Sequence, residues 1–583
     1  MPPIESRRGG ADRAVPSVPG TPTPPETLDR AVADVRARKD DWVRLNPGRR
    51  IALLDRMARG IAAGANAWVE ASVEAKGIDP ASAIVAEEWL AGPYCILRNL
   101  RLLRRSLADL AAGGQPRIPG PVTTRAGGQV VARVFPTDLF DRLLFPGYTA
   151  EVWMEPGVDR DGLEETQATA YGPGARDGKV ALVLGAGNMP AIGPTDVLHK
   201  LFVENRVVVL KTSPVNAYLG PHLAEAFRAP IEEGFLRIVD GGAAEGEYLC
   251  SHAGVDEIHV TGSDRTYDAI VFGGGEEGAR RKAAGTPLRS KPVTAELGNV
   301  SPVIVVPGPW TRRDLEFHAA NIASQLVANA GFYCNSARVI VQHASWDLRA
   351  ALLDEVRRVL SSVPPRRAYY PGAAERHAAF LAEHPGAERF GVPSAGELPW
   401  TLVAGVDPGR RDDICFRTEA FSSLFAETAL HAADVGEFLD RATAFCNETL
   451  WGSLCATVLV HPASLADPKI ASAVERMVAD LRYGAVSLNP WAALAYTLGT
   501  TTWGAFPGND PGEIGSGTGV VHNTLMFSRV QKTVVRGPFR AWPAPPWFVT
   551  SRGAARLSEK LARFEASPSA SKLPGILAAA LRG

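Results

Sequence analysis

Between residues 26 and 112, apolar positions recur at three- and four-residue steps, the period of helices that bury one face. In RRIALLDRMARGIAAG the residues Ile51, Leu54, Met57 and Ile61 share such a face. LRNLRLLRRSLADLAA repeats the pattern with its arginines outside. From Val180 the period shortens to β-branched runs separated by helical segments: VALVLG (180–185), VVVLK (207–211), LRIVDG (236–241) and EIHVTGS (257–263). That spacing is typical of β-α-β crossovers in a parallel sheet. A second series follows Pro292, with SPVIVV (301–306), ARVIVQ (337–342), ATVLVH (456–461) and AVSLN (485–489). The pattern predicts an α/β fold of two parallel-sheet domains facing a cleft. The stretch from Thr518 adds a further strand with an irregular tail, then a helical end.

Composition narrows the classes of function. The chain has 583 residues, 46% hydrophobic and 21% charged, which suits a globular protein of several domains. Lys and Arg number 62 against 63 Asp and Glu, so no net field draws in nucleic acid or an anionic membrane. Residues 1–26 are rich in Pro, Gly and Arg, read as a disordered tail, and lack the apolar core of a signal peptide. No apolar run is long enough to span a membrane. Six dispersed cysteines form neither a disulfide framework nor a C-x-x-C pair, so reduced thiols, a cytoplasmic location and no metal centre are expected.

Two segments carry candidate chemistry. Cys334 lies in ANAGFYCNSARVIVQ, between a helical segment near 314–329 and a strand, after a glycine that frees the turn. An accessible loop beside a helix end is where a thiol can act as a nucleophile; the alternative is a small buried hydrophobe. In VTAELGNVSP (293–302) Glu296 is the only charge in an apolar run. Burial there raises a carboxyl group's pKa toward that of a general base, unless Glu296 belongs to a structural ion pair. GAGNMP (185–190) opens a helix after a strand, but Pro190 stands where the third glycine of a dinucleotide fingerprint belongs. Phosphate-loop, zinc-protease and serine-elbow motifs are absent from the sequence.

Taken in order, GAGNMP, VVVLKTSP, VTGS, TAELGNVSP, NAGFYC, TEAFSSLF and GAVSLN resemble the aldehyde dehydrogenase superfamily over roughly residues 30–530. The resemblance implies that Cys334 attacks an aldehyde carbonyl. It implies that Asn188 and the Cys334 backbone N–H hold the oxyanion, and that Glu296 activates the water that releases the acid. It further implies cofactor contacts from Lys211 with the adenosine ribose, with Ser213 beside it as a candidate partner for a 2′-phosphate, from Gly262 and Ser263 with the pyrophosphate, and from Glu419 and Phe421 with the nicotinamide side. It divides the chain into a tail (1–26), N-terminal helices with a cofactor-binding domain (27–295), a catalytic domain (296–495), and a return segment, oligomerisation strand and extension (496–583). A homodimer or homotetramer is implied, paired through a small β element for which VVARVF (130–135) and TVVRGPF (533–539) are candidates.

The sequence departs from the family pattern in three places. Pro214 replaces the glutamate that usually binds the adenosine 2′-hydroxyl, which favours NADP over NAD; the basic run ARRKAAGTPLRSK (279–291) is a second candidate phosphate partner or simply a solvated loop. Gly298-Asn299 replaces a Gly-Gly pair. Phe332 and Tyr333, flanking the nucleophile, either line an apolar pocket or pack a domain interface. The expected activity is NAD(P)-dependent oxidation of an aldehyde to an acid. The alternatives are an acylating acyl-CoA reductase, suggested by GNMP but opposed by Glu296, and a catalytically silent scaffold.

Overall fold

The computed structural model describes residues 22–172 and 177–582. The expected disordered tail lies, up to residue 21, outside the described residues, and a helix begins at Pro25. Helices Pro25–Arg44, Pro47–Lys76 and Cys95–Ala111 form the N-terminal layer. The second starts where the Asn46 side chain accepts from the Arg49 N–H with Pro47 in the first turn, and it ends at Gly77 in the left-handed conformation. Leu54, Met57 and Ile61 are buried on the predicted face, and Ile51 is half-buried.

The first sheet has six strands in the order Gly517–Thr518, Val293–Leu297, Glu257–Gly262, Val180–Leu184, Val207–Lys211, Leu236–Val239. All are parallel except the short edge strand at Gly517. Val180–Val183 and Val207–Leu210 are buried throughout, as expected when helices cover both faces. The second sheet has eleven strands. Seven of them run parallel: Val530–Arg536, Ala485–Leu488, Cys455–Leu459, Pro302–Val305, Val339–His343, Leu424–Leu430 and Trp400–Val406. The ribbon Val122–Thr124, Val130–Phe135, Thr149–Met154 continues it antiparallel from Val530–Arg536, and Glu388–Phe390 closes the other edge.

Both series of sequence-predicted strands are present, and of the oligomerisation candidates VVARVF lies wholly, and TVVRGPF up to Arg536, in strands of the large sheet. The strands Trp400–Val406 and Leu424–Leu430 were not anticipated. The latter closely follows the T-E-A-F segment, and Glu427 and Thr428 interrupt its apolar run. The chain passes from one sheet to the other in four residues, Gly298 to Ser301, so Glu296 stands at the crossing. No helix among the described residues is long and apolar enough to cross a membrane.

Candidate active site

The carboxyl ends of the first sheet's parallel strands converge on this crossing, the crevice where an open α/β sheet offers ligand-binding loops. Strand Val180–Leu184 delivers Asn188, Val207–Lys211 ends at Lys211, Glu257–Gly262 delivers Gly262, and Val293–Leu297 carries Glu296. Register pairs Thr261 with Glu296 and Gly262 with Leu297, fixing the last two side by side.

Cys334 arrives from the other sheet's side. Helix Arg312–Val327 stops, and three consecutive residues, Asn329, Ala330 and Gly331, take positive φ values of 52°, 54° and 81°. Such backbone persists in non-glycine residues only where its surroundings over-determine it. Here they do. Buried Lys76 lies 2.8 Å from Glu88 and 3.0 Å from Asn329 Oδ1, Glu87 accepts from the Asn329 N–H at 2.9 Å, and Asn329 Nδ2 donates to the Asn188 carbonyl at 2.7 Å. The Tyr369 hydroxyl is 2.9 Å from both Asn188 O and Asn329 Oδ1. At Gly331 any Cβ would collide with the Ser422 carbonyl, so only glycine fits. Buried Arg338 completes the clamp by donating to the carbonyls of Ser422 at 2.9 Å and Gly331 at 2.5 Å.

The loop therefore presents Cys334 half-buried while the other five cysteines are fully buried. Burial, first, and the neighbouring Glu296, Cys455 and Glu419 push the Cys334 thiol well above the usual range. Glu296 is 3% exposed and its Oε1 has no hydrogen-bond partner. Burial raises its pKa to about 7, against the opposing pull of the Cys334 thiol and the Trp503 indole beside it. Asn188 Nδ2 donates to the Phe332 carbonyl at 2.8 Å, which ties it to the cysteine loop.

Glu419 lies against the bare face of Gly298, where a Cβ would collide with its carboxylate, and its Oε1 has no partner. Burial pushes it up to about 8, with Arg338 pulling down and Glu296 pushing up. Phe421, at φ 37°, packs on Phe332 with ring centroids 5.8 Å apart. Lys211 Nζ donates to the Thr212 carbonyl at 3.2 Å, and burial lowers its pKa. Ser213 accepts from the Val215 N–H beside Gly187, whose missing Cβ keeps that approach open. Ser263 caps helix Asp264–Val271 by accepting from the Thr266 N–H at 3.2 Å. The structure thus gathers Cys334, Glu296, Asn188 and Glu419 at the crossing and sets Lys211, Ser213, Gly262 and Ser263 along the strand ends.

The basic run at 279–291 is largely occupied by its own surroundings. Arg280 and Arg281 pair with Glu277, Lys282 with Asp268, and Arg289 and Lys291 donate to backbone carbonyls. Phe332 and Tyr333 part company: Phe332 packs among Tyr369, Tyr370 and Phe421, whereas Tyr333 lines a cavity. Sequence reasoning missed Lys76, Glu88, Asn329, Tyr369, Arg338 and Trp503. Their roles come from contacts such as Lys76 with Asn329, 253 positions apart, that leave no local pattern.

Residues 180–377 match the model of the aldehyde dehydrogenase family. An N-succinylglutamate 5-semialdehyde dehydrogenase of Novosphingobium aromaticivorans is 29% identical over 210 residues, 35% of this chain and 40% of that protein. A human 4-trimethylaminobutyraldehyde dehydrogenase is 34% identical over 140 residues, 23% of this chain and 24% of that protein. The matched part thus spans less than half the length of these curated relatives. Among solved structures, an NAD-dependent aldehyde dehydrogenase from Sinorhizobium meliloti superposes with a TM-score of 0.59 at 19% identity, covering 91% of this chain and 89% of its own. An NADP-dependent glyceraldehyde-3-phosphate dehydrogenase from Bacillus halodurans superposes with a TM-score of 0.58 at 16% identity, covering 88% and 92%.

Proposed function

We propose that this chain, which belongs to the aldehyde dehydrogenase superfamily, oxidises an aldehyde to a carboxylic acid with a nicotinamide dinucleotide as acceptor. The observation that carries the reading is a half-buried thiol at Cys334 beside a buried carboxyl, Glu296, whose Oε1 has no partner and whose pKa lies near neutrality.

Cys334 loses its thiol proton to solvent as Sγ adds to the carbonyl carbon, and the oxyanion is held by Asn188 Nδ2, which has a second N–H beyond the one given to Phe332, and by the Cys334 backbone N–H. The bound nicotinamide supplies the hydride acceptor, and a thioester on Cys334 remains. Glu296 takes a proton from water as it attacks the thioester carbon, and the acid leaves as Cys334 is regenerated. An unpartnered Glu419 oxygen and Lys211 at its strand end suit the ribose hydroxyls of such a cofactor. The helix start at Ser263 suits its phosphates. With Pro214 following Ser213, no carboxylate stands at that position to repel a 2′-phosphate, which favours NADP over NAD. A reacting Glu296 favours water over CoA as acyl acceptor. We further assign the cofactor to the first sheet's domain, the nucleophile Cys334 to the second with Glu296 at the crossing between them, and assembly as a homodimer or homotetramer to the antiparallel ribbon.

An aldehyde panel with NAD and NADP, with and without CoA, followed by nicotinamide absorbance, tests this reading. Acid production without CoA and a higher kcat/KM with NADP are expected. Strict CoA dependence overturns the hydrolytic step, and strong NAD preference overturns the cofactor assignment. Asn188→Ala lowers kcat by about 10²- to 10³-fold, the usual loss for one oxyanion donor; an unchanged kcat removes Asn188 from the chemistry.

A further inference from the structure

A cavity of about 430 Å³ is lined by Tyr333 and Asn335, the sequence neighbours of Cys334 on either side, and by Met189 next to Asn188. That volume falls within the range of small-molecule sites. Its far wall is built from the segment after the last strand, including Trp542, Trp547, Leu557, Leu561, Ile576 and Ala580. This wall is anchored firmly. Glu565 of helix Ala554–Ala566 accepts from Arg98 at 2.7 Å and Arg101 at 2.6 Å, and the Val549 N–H donates to Ser324 on the helix that leads to Cys334.

The lining is apolar almost throughout. Glu87 is its one charged side chain, and Arg366 neutralises it at 2.9 Å. Among the described residues, no lining cation is available to hold a carboxylate or phosphate. Where the cavity meets solvent the surface stays apolar: Leu143, Trp542 and Leu577 line it while 49%, 79% and 48% exposed. Exposed hydrophobic side chains clustered at a cavity mark a surface that meets an apolar ligand.

We propose that residues 538–582 form the outer wall of an acyl tunnel leading to Cys334, and that the aldehyde it admits is long and apolar, an alkyl or arylalkyl aldehyde, rather than a charged semialdehyde. The proposal rests on the aldehyde-oxidising reading above and adds the substrate class. Buried methylenes strengthen binding one by one, so kcat/KM rises about three- to fourfold for each carbon added from propanal until the tunnel is full. Succinic semialdehyde, with a carboxylate and no cation to meet it, is a poor substrate.

The decisive experiment compares propanal, hexanal, decanal and succinic semialdehyde on the full chain, its Ala580→Trp variant and an Ala493→Trp variant that fills the cavity from the opposite wall. Each variant is expected to lose more than tenfold in kcat/KM for decanal and less than twofold for propanal. Calorimetric binding of 1-decanol, which requires no turnover, should vanish in both variants. A flat chain-length series with propanal still oxidised, or a preference for succinic semialdehyde, overturns the tunnel while leaving the activity intact. If no aldehyde is oxidised, the activity assignment fails, and decanol binding alone decides the tunnel: binding lost in both variants supports it, and absent binding overturns it.

Discussion

Cys334→Ala protein is expected to form reduced nicotinamide at least about four orders of magnitude more slowly than the native chain, a loss worth roughly 5.5 kcal/mol of transition-state stabilisation. The side chain removed is small and half-buried on a loop fixed by Asn329, Gly331 and Arg338, so the fold and cofactor site should survive. Circular dichroism melting and cofactor binding check this directly. Because burial and nearby carboxyls hold the thiol well above its usual range, the resting sulfur is neutral at pH 7 to 8. Alkylation by iodoacetamide is therefore slow near neutrality and climbs with pH, with Cys334 as the single residue labelled, since the other five cysteines are buried. Turnover equal to the native rate in Cys334→Ala, or a label on another cysteine that accompanies inactivation, would remove the nucleophile assignment.

How much of this was legible in the sequence depends on how local each signal is. Asn188, Lys211 and Gly262 were named by the motifs of the resemblance, each on or just after a predicted strand, and Glu296 stood out as the only charge in an apolar run. A parallel sheet puts all its carboxyl ends on one edge, which is why residues named from separate motifs lie near one another. The support beneath Cys334 was different. Lys76 and Glu88 look like ordinary helical charges until folding brings them to Asn329, and nothing near Arg338 announces that it clamps Gly331 and Ser422. The segment beyond Arg536 carried apolar residues and prolines without a period, and its contribution appears only when it closes over the distant Tyr333 and Trp491. Glu419 was placed by its motif, but its contact with Gly298 and its raised pKa depend on burial that no local pattern encodes.

Glu296→Gln separates chemistry from stability, because the two should move in opposite directions. A base acts deprotonated, so the native steady-state rate should rise about tenfold per pH unit below the carboxyl's value of about 7 and level off above it. The Gln variant keeps a burst of about one reduced nicotinamide per chain, loses that pH limb, and releases acid some 10²- to 10⁴-fold more slowly. Stability has the other sign. The Glu296 pKa is raised from 4.5 to about 7 on folding, so between those values the folded state keeps a proton that the unfolded state has released. Stability therefore falls as pH rises through that window and stays lower above it, by an amount on the order of 3 kcal/mol at pH 8. Glutamine removes the charge and with it this cost, so the variant should melt higher than the native chain at pH 8, with the gap closing toward pH 4. A glutamate kept for structure, paired with a cation, would do the reverse, since its replacement would destabilise the fold near neutrality. A variant that is both slower in acid release and more stable at pH 8 is the expected mark of a carboxyl buried at a cost in stability because the reaction uses it; full steady-state turnover, or a lower melting temperature at pH 8, would assign the base elsewhere.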